Sequence, residues 1–446
     1  MTTLPFIYDA TGRPLPLDRL LASGGEGSVY TVPMDTAQVV KVYHRPPSAQ
    51  TVEKLTAMIG LANPQLKSWT AWPTGLVYDA RTRQVAGFIM PRLGDCQSIQ
   101  ALYNPIQRMK CFPKASWGFQ VRAAVNLAAA IDEVHKAGCL VGDINERNEM
   151  VSPKATITLI DCDTFQLRAG GRQFLCEVGV LHYTPPELQN KTFRGLVRTE
   201  NHDRFGLAVL VYQLLFVGSH PYAGRFLGKG DLTADQFISE FRFAQGPAAH
   251  KWDMAPRPHT PTFEDIPADV ATLFRRAFER GSETGTRPRP SEWITALKRL
   301  ESEIVECKDD SGHKFWRGAK GCVWCRLAAR GGPEFYFGVA GGVGNFAVDD
   351  ARLREVLHRL AACQAIAIPA EYDRYVSTTR KTPQPLPPDF LQLQSAFEKC
   401  QVEFNLTMRQ HLADESAGIQ RIAEQGVTRH PARVAVDFGR VGLIGV

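Results

Sequence analysis

One segment carries most of the information about this chain's architecture, and it reads Val141-Gly142-Asp143-Ile144-Asn145-Glu146-Arg147-Asn148. Thirteen residues after Asn148 comes Asp161, directly behind the strand-like run Ile157-Thr158-Leu159-Ile160. In phosphoryl-transfer sites, one carboxylate orients the acceptor hydroxyl, while an amide and a second carboxylate hold divalent cations on the nucleotide phosphates. An Asp and an Asn beside a strand are also common in ordinary loops. The choice between a phosphoryl-transfer site and an ordinary loop therefore depends on the other motifs of the chain.

Length and composition indicate a globular protein with a substantial core. The 446 residues suffice for two or three domains of roughly 100–200 residues each. A net charge of +6 is mild and gives no argument for a nucleic-acid or membrane partner. No apolar run approaches the ~20 residues of a membrane span, and the N-terminus lacks a signal-peptide pattern. Ten scattered cysteines indicate reduced thiols, so we expect a cytoplasmic protein.

A glycine-rich turn near the N-terminus is a candidate phosphate-binding loop. It lies in Ala22-Ser23-Gly24-Gly25-Glu26-Gly27-Ser28-Val29-Tyr30, between two predicted strands. Without a Cβ, glycines let backbone N–H groups close over phosphates, although an ordinary hairpin turn explains glycines equally well. The candidate ATP-binding residues here are Gly24, Gly25, Gly27 and Val29.

A single lysine, Lys41, stands in the alternating strand Val39-Val40-Lys41-Val42-Tyr43. Protein kinases place the lysine that binds the α- and β-phosphates of ATP in such a strand. Glu53, in the helix-like run 48–61, is spaced to pair with Lys41 and to position it for the nucleotide. The alternative is that Glu53 is a solvated helix charge.

The next strand, Ala86-Gly87-Phe88-Ile89-Met90, leads into Pro91-Arg92-Leu93. We expect this point to be a hinge between two lobes, where Met90, Pro91 and Leu93 meet the adenine edge of ATP. Pro91 has no N–H, so only its carbonyl can take part.

Further motifs follow the segment around Asp143. Tyr183-Thr184-Pro185-Pro186-Glu187 occupies the place of the Ala-Pro-Glu that closes a kinase activation segment. Asp203 opens an apolar run, Phe205 to Leu215, which predicts a buried central helix. Arg289 is placed to form a buried ion pair with Glu187, and we expect that pair to be structural.

Six motifs occur in order along the chain, at residues 24–30 (GGEGSVY), 141–145 (VGDIN), 159–166 (LIDCDTFQ), 183–188 (YTPPEL), 202–209 (HDRFGLAV) and 220–224 (HPYAG). Over roughly residues 15–305 the chain resembles a bacterial family that joins a divergent protein-kinase domain to a C-terminal helix-hairpin-helix DNA-binding module. Related kinases are often encoded beside a metal-dependent phosphatase and a von Willebrand A-type protein, in tellurite-resistance or stress clusters. The resemblance implies those two proteins as candidate partners.

The resemblance also implies a two-lobed α+β fold that uses ATP with Mg²⁺ or Mn²⁺. Lys41 would hold ATP, Asp143 would act as base or substrate orienter, and Asn148 and Asp161 would bind the metal. Because all four residues are present, we expect an active kinase, of Ser/Thr type, that phosphorylates protein hydroxyls and takes itself as one candidate substrate.

Two other functions compete with this prediction. One is a catalytically silent ATP-binding scaffold that recruits partners through a zinc ribbon and a C-terminal arm, which are described below. The other is a nucleic-acid-binding adaptor, which would show a steep salt dependence of DNA affinity.

Several residues depart from the usual kinase pattern. Val141 and Gly142 replace the His-Arg before the catalytic Asp, which removes the usual receptor for an activation-loop phosphate. We therefore predict activity without loop phosphorylation. Asn145 replaces the lysine of Ser/Thr kinases, with Arg147 as the candidate replacement. Asp163 replaces the glycine after the metal-binding Asp, either as a supporting carboxylate or as a cap of the turn.

Behind the kinase-like region lies a possible zinc site, Cys307-x5-His313-x8-Cys322-x2-Cys325. This spacing fits a tetrahedral structural Zn²⁺ site, and the alternative is three unrelated thiols and a surface histidine. A segment this short has little core of its own, which favours the metal.

The predicted organisation has four parts: a kinase N-lobe over 1–93, a kinase C-lobe over 94–305, a zinc ribbon over 306–328, and a linker with a helical C-terminal arm over 329–446. In the resembling family the helix-hairpin-helix would begin near residues 442–446. The chain stops there, so DNA binding is not assigned to it.

Overall fold

The computed structural model describes residues 4–336, and the predictions for the arm beyond residue 336 lie outside the described residues. The N-terminal part is a seven-stranded antiparallel sheet. Its strands are β1 (Ile7–Asp9), β2 (Pro14–Leu15), β3 (Leu20–Ser23), β4 (Gly27–Val32), β5 (Asp35–Tyr43), β6 (Gly75–Asp79) and β7 (Val85–Pro91). Across the sheet they run β2-β1-β6-β7-β5-β4-β3.

Two helices, α1 (Ala49–Leu61) and α2 (Pro64–Trp69), lie between β5 and β6 in the chain. Ser48 caps α1, because its hydroxyl accepts the Thr51 N–H at 3.1 Å and satisfies one of the free N–H groups of the first turn. The predicted helical run over 48–61 is therefore confirmed. The buried side chains of α1 are Lys54, Leu55 and Met58.

Strand β5 is covered on both faces, and this fixes the position of Lys41. Val40 and Val42 pack with Ile7 and Val77 in a small apolar cluster on one face. Since successive side chains of a strand point to opposite faces, Lys41 lies on the other face, where it is buried.

The second part of the chain is mainly helical. Its helices are α3 (Ile99–Tyr103), α4 (Pro105–Cys111), α5 (Trp117–Lys136), α6 (Glu200–Leu215), α7 (Ala234–Ser239), α8 (Ala268–Phe278), α9 (Pro290–Ser302) and α10 (Val323–Ala329). Every residue from Phe205 to Leu215 is buried, which confirms the predicted central helix. Within residues 4–336, no helix combines the length and apolar character that a membrane span needs.

Short strands frame the candidate site. Three of them, β8 (Gln97–Ser98), β9 (Glu149–Val151) and β10 (Ile157–Leu159), form a sheet in the order β10-β9-β8. The segment with Asp143 leads into β9, and Asp161 follows β10. The other strands form three two-stranded ribbons: β11 (Leu167–Ala169) with β12 (Arg172–Phe174), β13 (Arg225–Phe226) with β14 (Met254–Ala255), and β15 (Ile304–Glu306) with β16 (Lys314–Trp316).

The buried ion pair of Glu187 is formed by Arg287, so the prediction of Arg289 is wrong. The Arg287 guanidinium donates to both Glu187 carboxylate oxygens, at 2.6 and 2.8 Å, and its side chain is fully buried. Arg289 is the N-cap of α9, where its N–H donates to the Glu292 carboxylate at 2.8 Å and its side chain is exposed.

The segment with the predicted zinc ligands packs on the helical part of the chain. Trp324 of α10 lies edge-on against Trp117 of α5, with ring centroids 6.1 Å apart. The antiparallel sheet followed by a helical part fits the two-lobed kinase-like α+β fold expected from the sequence. The domain boundaries themselves stay predictions.

Candidate active site

The loop that carries Asp143 is held by α6. The Asp203 carboxylate accepts the N–H groups of Val141 at 2.8 Å and Gly142 at 2.9 Å, and it contacts His135 Nε2 at 2.9 Å. Gly142 has φ +75°, and a Cβ there would lie 2.6 Å from the Cys176 Cβ, so only glycine fits. Sequence reasoning gave Asp203 no part in the site. A buried acid in the first turn of an apolar helix was the available signal.

Asp143 and Asn148 are in direct contact. Asn148 Nδ2 donates to the Asp143 carbonyl at 3.0 Å and to its Oδ2 at 3.2 Å. Asp143 Oδ1 is buried and accepts no hydrogen bond from any residue of 4–336. Burial raises the pKa of the Asp143 carboxyl, and this outweighs the opposing charge of Arg198. A buried carboxylate oxygen without a donor is an acceptor for an incoming hydroxyl.

Asp161 lies beside Asn148, because the Ile160 N–H donates to the Asn148 carbonyl at 2.9 Å. Its backbone is left-handed, with φ 56° and ψ 36°. Such a conformation is costly for a residue other than glycine and is concentrated at functional sites. The Asp161 side chain is 50% exposed. A carboxylate and an amide oxygen are ligands that Mg²⁺ and Mn²⁺ accept, so the two residues fit the predicted metal.

Lys41 meets two carboxylates. Its Nζ donates to Asp161 Oδ1 at 3.0 Å and to both oxygens of Asp163, at 2.9 and 2.8 Å. Burial alone would lower the pKa of Lys41, but Asp163 and Asp161 outweigh it and raise that pKa well above the usual range. The lysine is therefore fully charged and is placed next to the candidate metal ligand.

The predicted pair of Lys41 with Glu53 is wrong. Glu53 is exposed and forms an ion pair with Arg172. On a helix, adjacent residues are about 100° apart, and the face of α1 that turns inward carries Lys54. The spacing from Lys41 indicated a partner on this helix but could not give the rotation of the helix about its axis.

The glycine-rich turn lies at the end of the same sheet. The Gly24 N–H donates to the Gly27 carbonyl at 2.9 Å and closes the turn. A Cβ on Gly27 would lie 2.7 Å from the Val42 carbonyl oxygen, so this glycine is needed for strand packing. A Cβ on Gly25 would meet nothing within 4 Å, which leaves the tip of the turn open for a ligand. Val29 is paired with Lys41 in the β4–β5 register.

The predicted hinge follows β7. Met90 is paired with Val39, and the Arg92 N–H donates to the Ala37 carbonyl at 2.8 Å. These bonds hold the start of the connection against β5. The contacts of Met90, Pro91 and Leu93 with adenine stay predictions.

The four predicted zinc ligands converge. The ligand atoms of Cys307, His313, Cys322 and Cys325 lie within 4.8 Å of one another. His313 Nδ1 is 3.3 Å from the Cys325 Sγ, and the Cys307 and Cys325 sulfurs are 3.6 Å apart. Two thiolates bound at about 2.3 Å to one tetrahedral Zn²⁺ would be about 3.8 Å apart, so the residues fit that ion.

A fifth residue supports this cluster. His313 Nε2 is 2.6 Å from the Glu334 Oε1, which fixes the ring and leaves Nδ1 toward the sulfurs. Carboxylates commonly orient metal-binding histidines in this way. Glu334 lies outside the zinc segment predicted to end at residue 328, and no spacing rule pointed to it.

Two curated proteins are similar to this chain in sequence. No family model matches the chain. It is 37% identical over 328 residues to protein kinase YegI of Escherichia coli strain K12, which covers 73% of this chain and 50% of the relative. The protein kinase YegI of Escherichia coli O157:H7 is 36% identical over 329 residues, covering 73% and 51%.

The chain therefore spans about half the length of these curated relatives. Among solved structures, the ROP18 kinase domain in complex with AMP-PNP and sucrose has a TM-score of 0.45 and 18% identity, covering 67% of this chain and 84% of that one. The two curated relatives support a bacterial protein-kinase-like family for this chain.

Proposed function

We propose that this chain is an ATP-dependent protein kinase that transfers the γ-phosphate of ATP to a protein hydroxyl. The observation that carries the proposal is a set of contacts in which Lys41 meets Asp161, Asn148 meets Asp143, and the segments of Asn148 and Asp161 are bonded to each other. Asp143 keeps a buried carboxylate oxygen that has no donor among residues 4–336. The two curated relatives, both named as protein kinases, support the same activity.

In the proposed reaction, the glycine-rich turn and Lys41 hold the nucleotide phosphates. Asn148 and Asp161 would hold Mg²⁺ or Mn²⁺, which neutralises phosphate charge when bound. The acceptor hydroxyl oxygen attacks the γ-phosphorus, the bond from that phosphorus to the β–γ bridging oxygen breaks, and the hydroxyl proton passes to Asp143 Oδ1. A carboxylate with a raised pKa is suited to accept a proton.

Serine or threonine is the acceptor we propose. The lysine of Ser/Thr kinases is replaced by Asn145, which is buried and donates to the Asp143 carbonyl at 3.0 Å. Arg147, two residues later, is exposed and available to supply the missing positive charge. The Arg147 N–H is held by Asn145 Oδ1 at 3.0 Å, which ties the two positions together.

We also propose that the activity does not need a phosphorylated activation segment. Arg198 donates to the carbonyls of Gly142 and Val178, so one guanidinium joins the catalytic loop to the activation segment. In kinases with an arginine before the catalytic Asp, a loop phosphate commonly supplies this connection. The bonds of Arg198 supply it with protein atoms alone.

The remaining proposals extend beyond the catalytic site. We propose structural Zn²⁺ at the three cysteines and His313. From the family resemblance we also propose cytoplasmic stress signalling, with a metal-dependent phosphatase and a von Willebrand A-type protein as partners.

The proposal is tested by transfer of labelled γ-phosphate from ATP with Mg²⁺ or Mn²⁺, comparing the wild type with Asp143→Ala. The reaction contains the chain itself and a mixed protein substrate, and the labelled residue type is then identified. Label on serine or threonine that disappears in the variant supports the kinase. If neither protein transfers label although both bind ATP, the chain is instead a silent ATP-binding scaffold.

A further inference from the structure

Helix α1 offers Lys41 no carboxylate. Its acidic residue, Glu53, lies outside the inward face and pairs with Arg172. The position on the inward face is taken by Lys54, which is 8% exposed and forms no ion pair with any residue of 4–336. The helix therefore presents a positive charge where Lys41 would need a negative one.

The counter-charge comes from Asp163 instead. This carboxylate is 8% exposed, and both of its oxygens accept from Lys41 Nζ. Its Oδ2 also accepts the Tyr43 hydroxyl at 2.9 Å, so two side chains of β5 hold it. Hydrogen bonds between charged partners are strong, and partial burial strengthens them further.

Asp161 and Asp163 differ in exposure and in bonding. Asp161 is half exposed and meets Lys41 through one oxygen, which leaves the other oxygen for a cation. Asp163 is buried and uses both oxygens on the protein. Both residues belong to one short turn, Asp161 to Thr164, closed by the Thr164 N–H on the Asp161 carbonyl at 3.0 Å.

Lys54 lines a cavity of about 800 Å³ between the glycine-rich turn and the activation segment. The same cavity is lined by Tyr43 and Asp163. Lys54 and Asp163 thus face the same cavity, and burial lowers the pKa of the Lys54 ammonium. The inward face of α1 carries a lysine where a carboxylate partner for Lys41 was expected.

We propose that Asp163 is the positioning residue for Lys41, in the role that a carboxylate of the helix was predicted to have. The lysine that binds phosphate and the carboxylate that binds metal would then be set by one turn of the activation segment. This inference rests on the proposed kinase function for its catalytic consequence, but the ion pair itself can be tested without any activity.

The first test measures how fast dinitrofluorobenzene labels Lys41 in the full chain without nucleotide, by peptide mass spectrometry. Lys320, whose side chain is 84% exposed, is the internal reference. In Asp163→Asn the Lys41 Nζ loses its contacts with two charged oxygens and becomes freer to meet the reagent, so we expect labelling of Lys41 relative to Lys320 to rise severalfold. Asp163→Glu should restore slow labelling.

Two further variants complete this test: Tyr43→Phe probes the Asp163 contact, and Glu53→Gln probes the alternative that Glu53 positions Lys41. Tyr43→Phe removes one bond to Asp163 and should raise Lys41 labelling by less than Asp163→Asn does, which keeps the test available if Asp163→Asn does not fold. Unchanged labelling in both variants would overturn the proposal. A rise in Glu53→Gln alone would return the role to the helix.

The second test measures ATP turnover in Asp163→Asn and Asp163→Glu. Because Lys41 would contact the phosphates of bound ATP in the proposed function, the KM for ATP should rise more than kcat falls, and Asp163→Glu should recover most of the loss. If labelling of Lys41 rises but the wild type itself transfers no phosphate, the ion pair stands and the proposed kinase function fails.

Discussion

The surrounding protein has changed the chemistry of the Asp143 carboxylate. Its Oδ2 is bonded to Asn148, while its buried Oδ1 has no donor among residues 4–336. Burial raises its pKa, so the group binds a proton more readily than an exposed aspartate does.

The pH dependence of activity follows from that shift. Asp143 must be ionised to accept the hydroxyl proton, so kcat/KM for the protein substrate should fall as pH drops through the raised pKa. The acidic limb should therefore lie above ~3.9, the ordinary value for aspartate. A pH–rate profile on the wild type checks this, and an acidic limb at or below the ordinary value would contradict it.

The sequence was informative where residues act close together in the chain. Asp143 and Asn148 are five residues apart in one loop that leads into β9, and Asp161 follows β10, which pairs with β9. Their spacing in the sequence was therefore enough to predict that they belong to one site. The partners of Lys41 and Glu187 were mispredicted for another reason. The partner of Lys41 depends on which face of α1 turns inward, and that face carries Lys54 and not Glu53. The partner of Glu187 depends on which of two nearby arginines is buried, and spacing could not distinguish Arg287 from Arg289.

Among the elements, the link between the catalytic loop and the activation segment has the clearest regulatory consequence. Arg198 is buried and bonds the Gly142 and Val178 carbonyls. The guanidinium also lies over the Phe193 ring, 4.3 Å from its centroid. Arg198 thus connects the loop at Gly142 with two points of the following segment, Val178 and Phe193.

Phosphatase treatment of the wild type should accordingly leave its turnover unchanged. Arg198→Ala should lower turnover and destabilise the fold by about 1.5–3 kcal/mol, the usual range for hydrogen bonds to a charged group. Turnover before and after treatment, with urea unfolding of the variant, checks both expectations. Activity that is lost with a phosphate from residues 161–187 would contradict the phosphorylation-independent site.

The ion pair that closes the activation segment gives a matched comparison. Arg287→Ala removes a fully buried guanidinium, leaves the half-buried Glu187 without its partner, and should cost about 3 kcal/mol of unfolding free energy. Arg289→Ala removes an exposed side chain two residues away and should change stability by less than about 0.5 kcal/mol. Equal losses in urea unfolding of the two variants would refute this assignment.

At the scale of the whole described molecule, the Cys-His segment belongs to the helical part of the kinase-like fold. Trp324 packs on Trp117, and Arg326 forms an ion pair with Asp265. Just after the segment in the chain, the Phe335 carbonyl accepts a hydrogen bond at 2.6 Å from Arg108 of α4. These contacts join residues far apart in the chain, so sequence spacing predicted the metal ligands without predicting where the segment would dock.

Metal removal should therefore affect more than the segment itself. We expect one Zn²⁺ per chain by elemental analysis, and a lower Tm with altered tryptophan fluorescence after chelation, because Trp324 reports on the docked segment. Cys322→Ser should reproduce the effect without chelator. A chain that contains no zinc, or whose unfolding is unaffected by chelation, would show that the cluster is not a structural metal site.

The ordered motifs of the sequence were sufficient for the two-lobed fold because each marks a different element of it. The glycine turn joins β3 to β4, Lys41 lies on β5, and Asp203 lies in the first turn of the buried α6. What spacing could not supply was the set of contacts between elements, such as Asp163 with Lys41 and Glu334 with His313.

The most direct test of the central claim measures Mg²⁺-dependent ATP affinity and turnover side by side in wild type, Asp143→Asn and Asp161→Asn. Asp143→Asn should keep ATP affinity and lose turnover by about 10²-fold or more, as expected when a proton acceptor is removed. Asp161→Asn should weaken Mg²⁺-dependent ATP affinity as well as turnover. If both variants retain wild-type affinity and turnover, Asp143 and Asp161 do not form a phosphotransfer site.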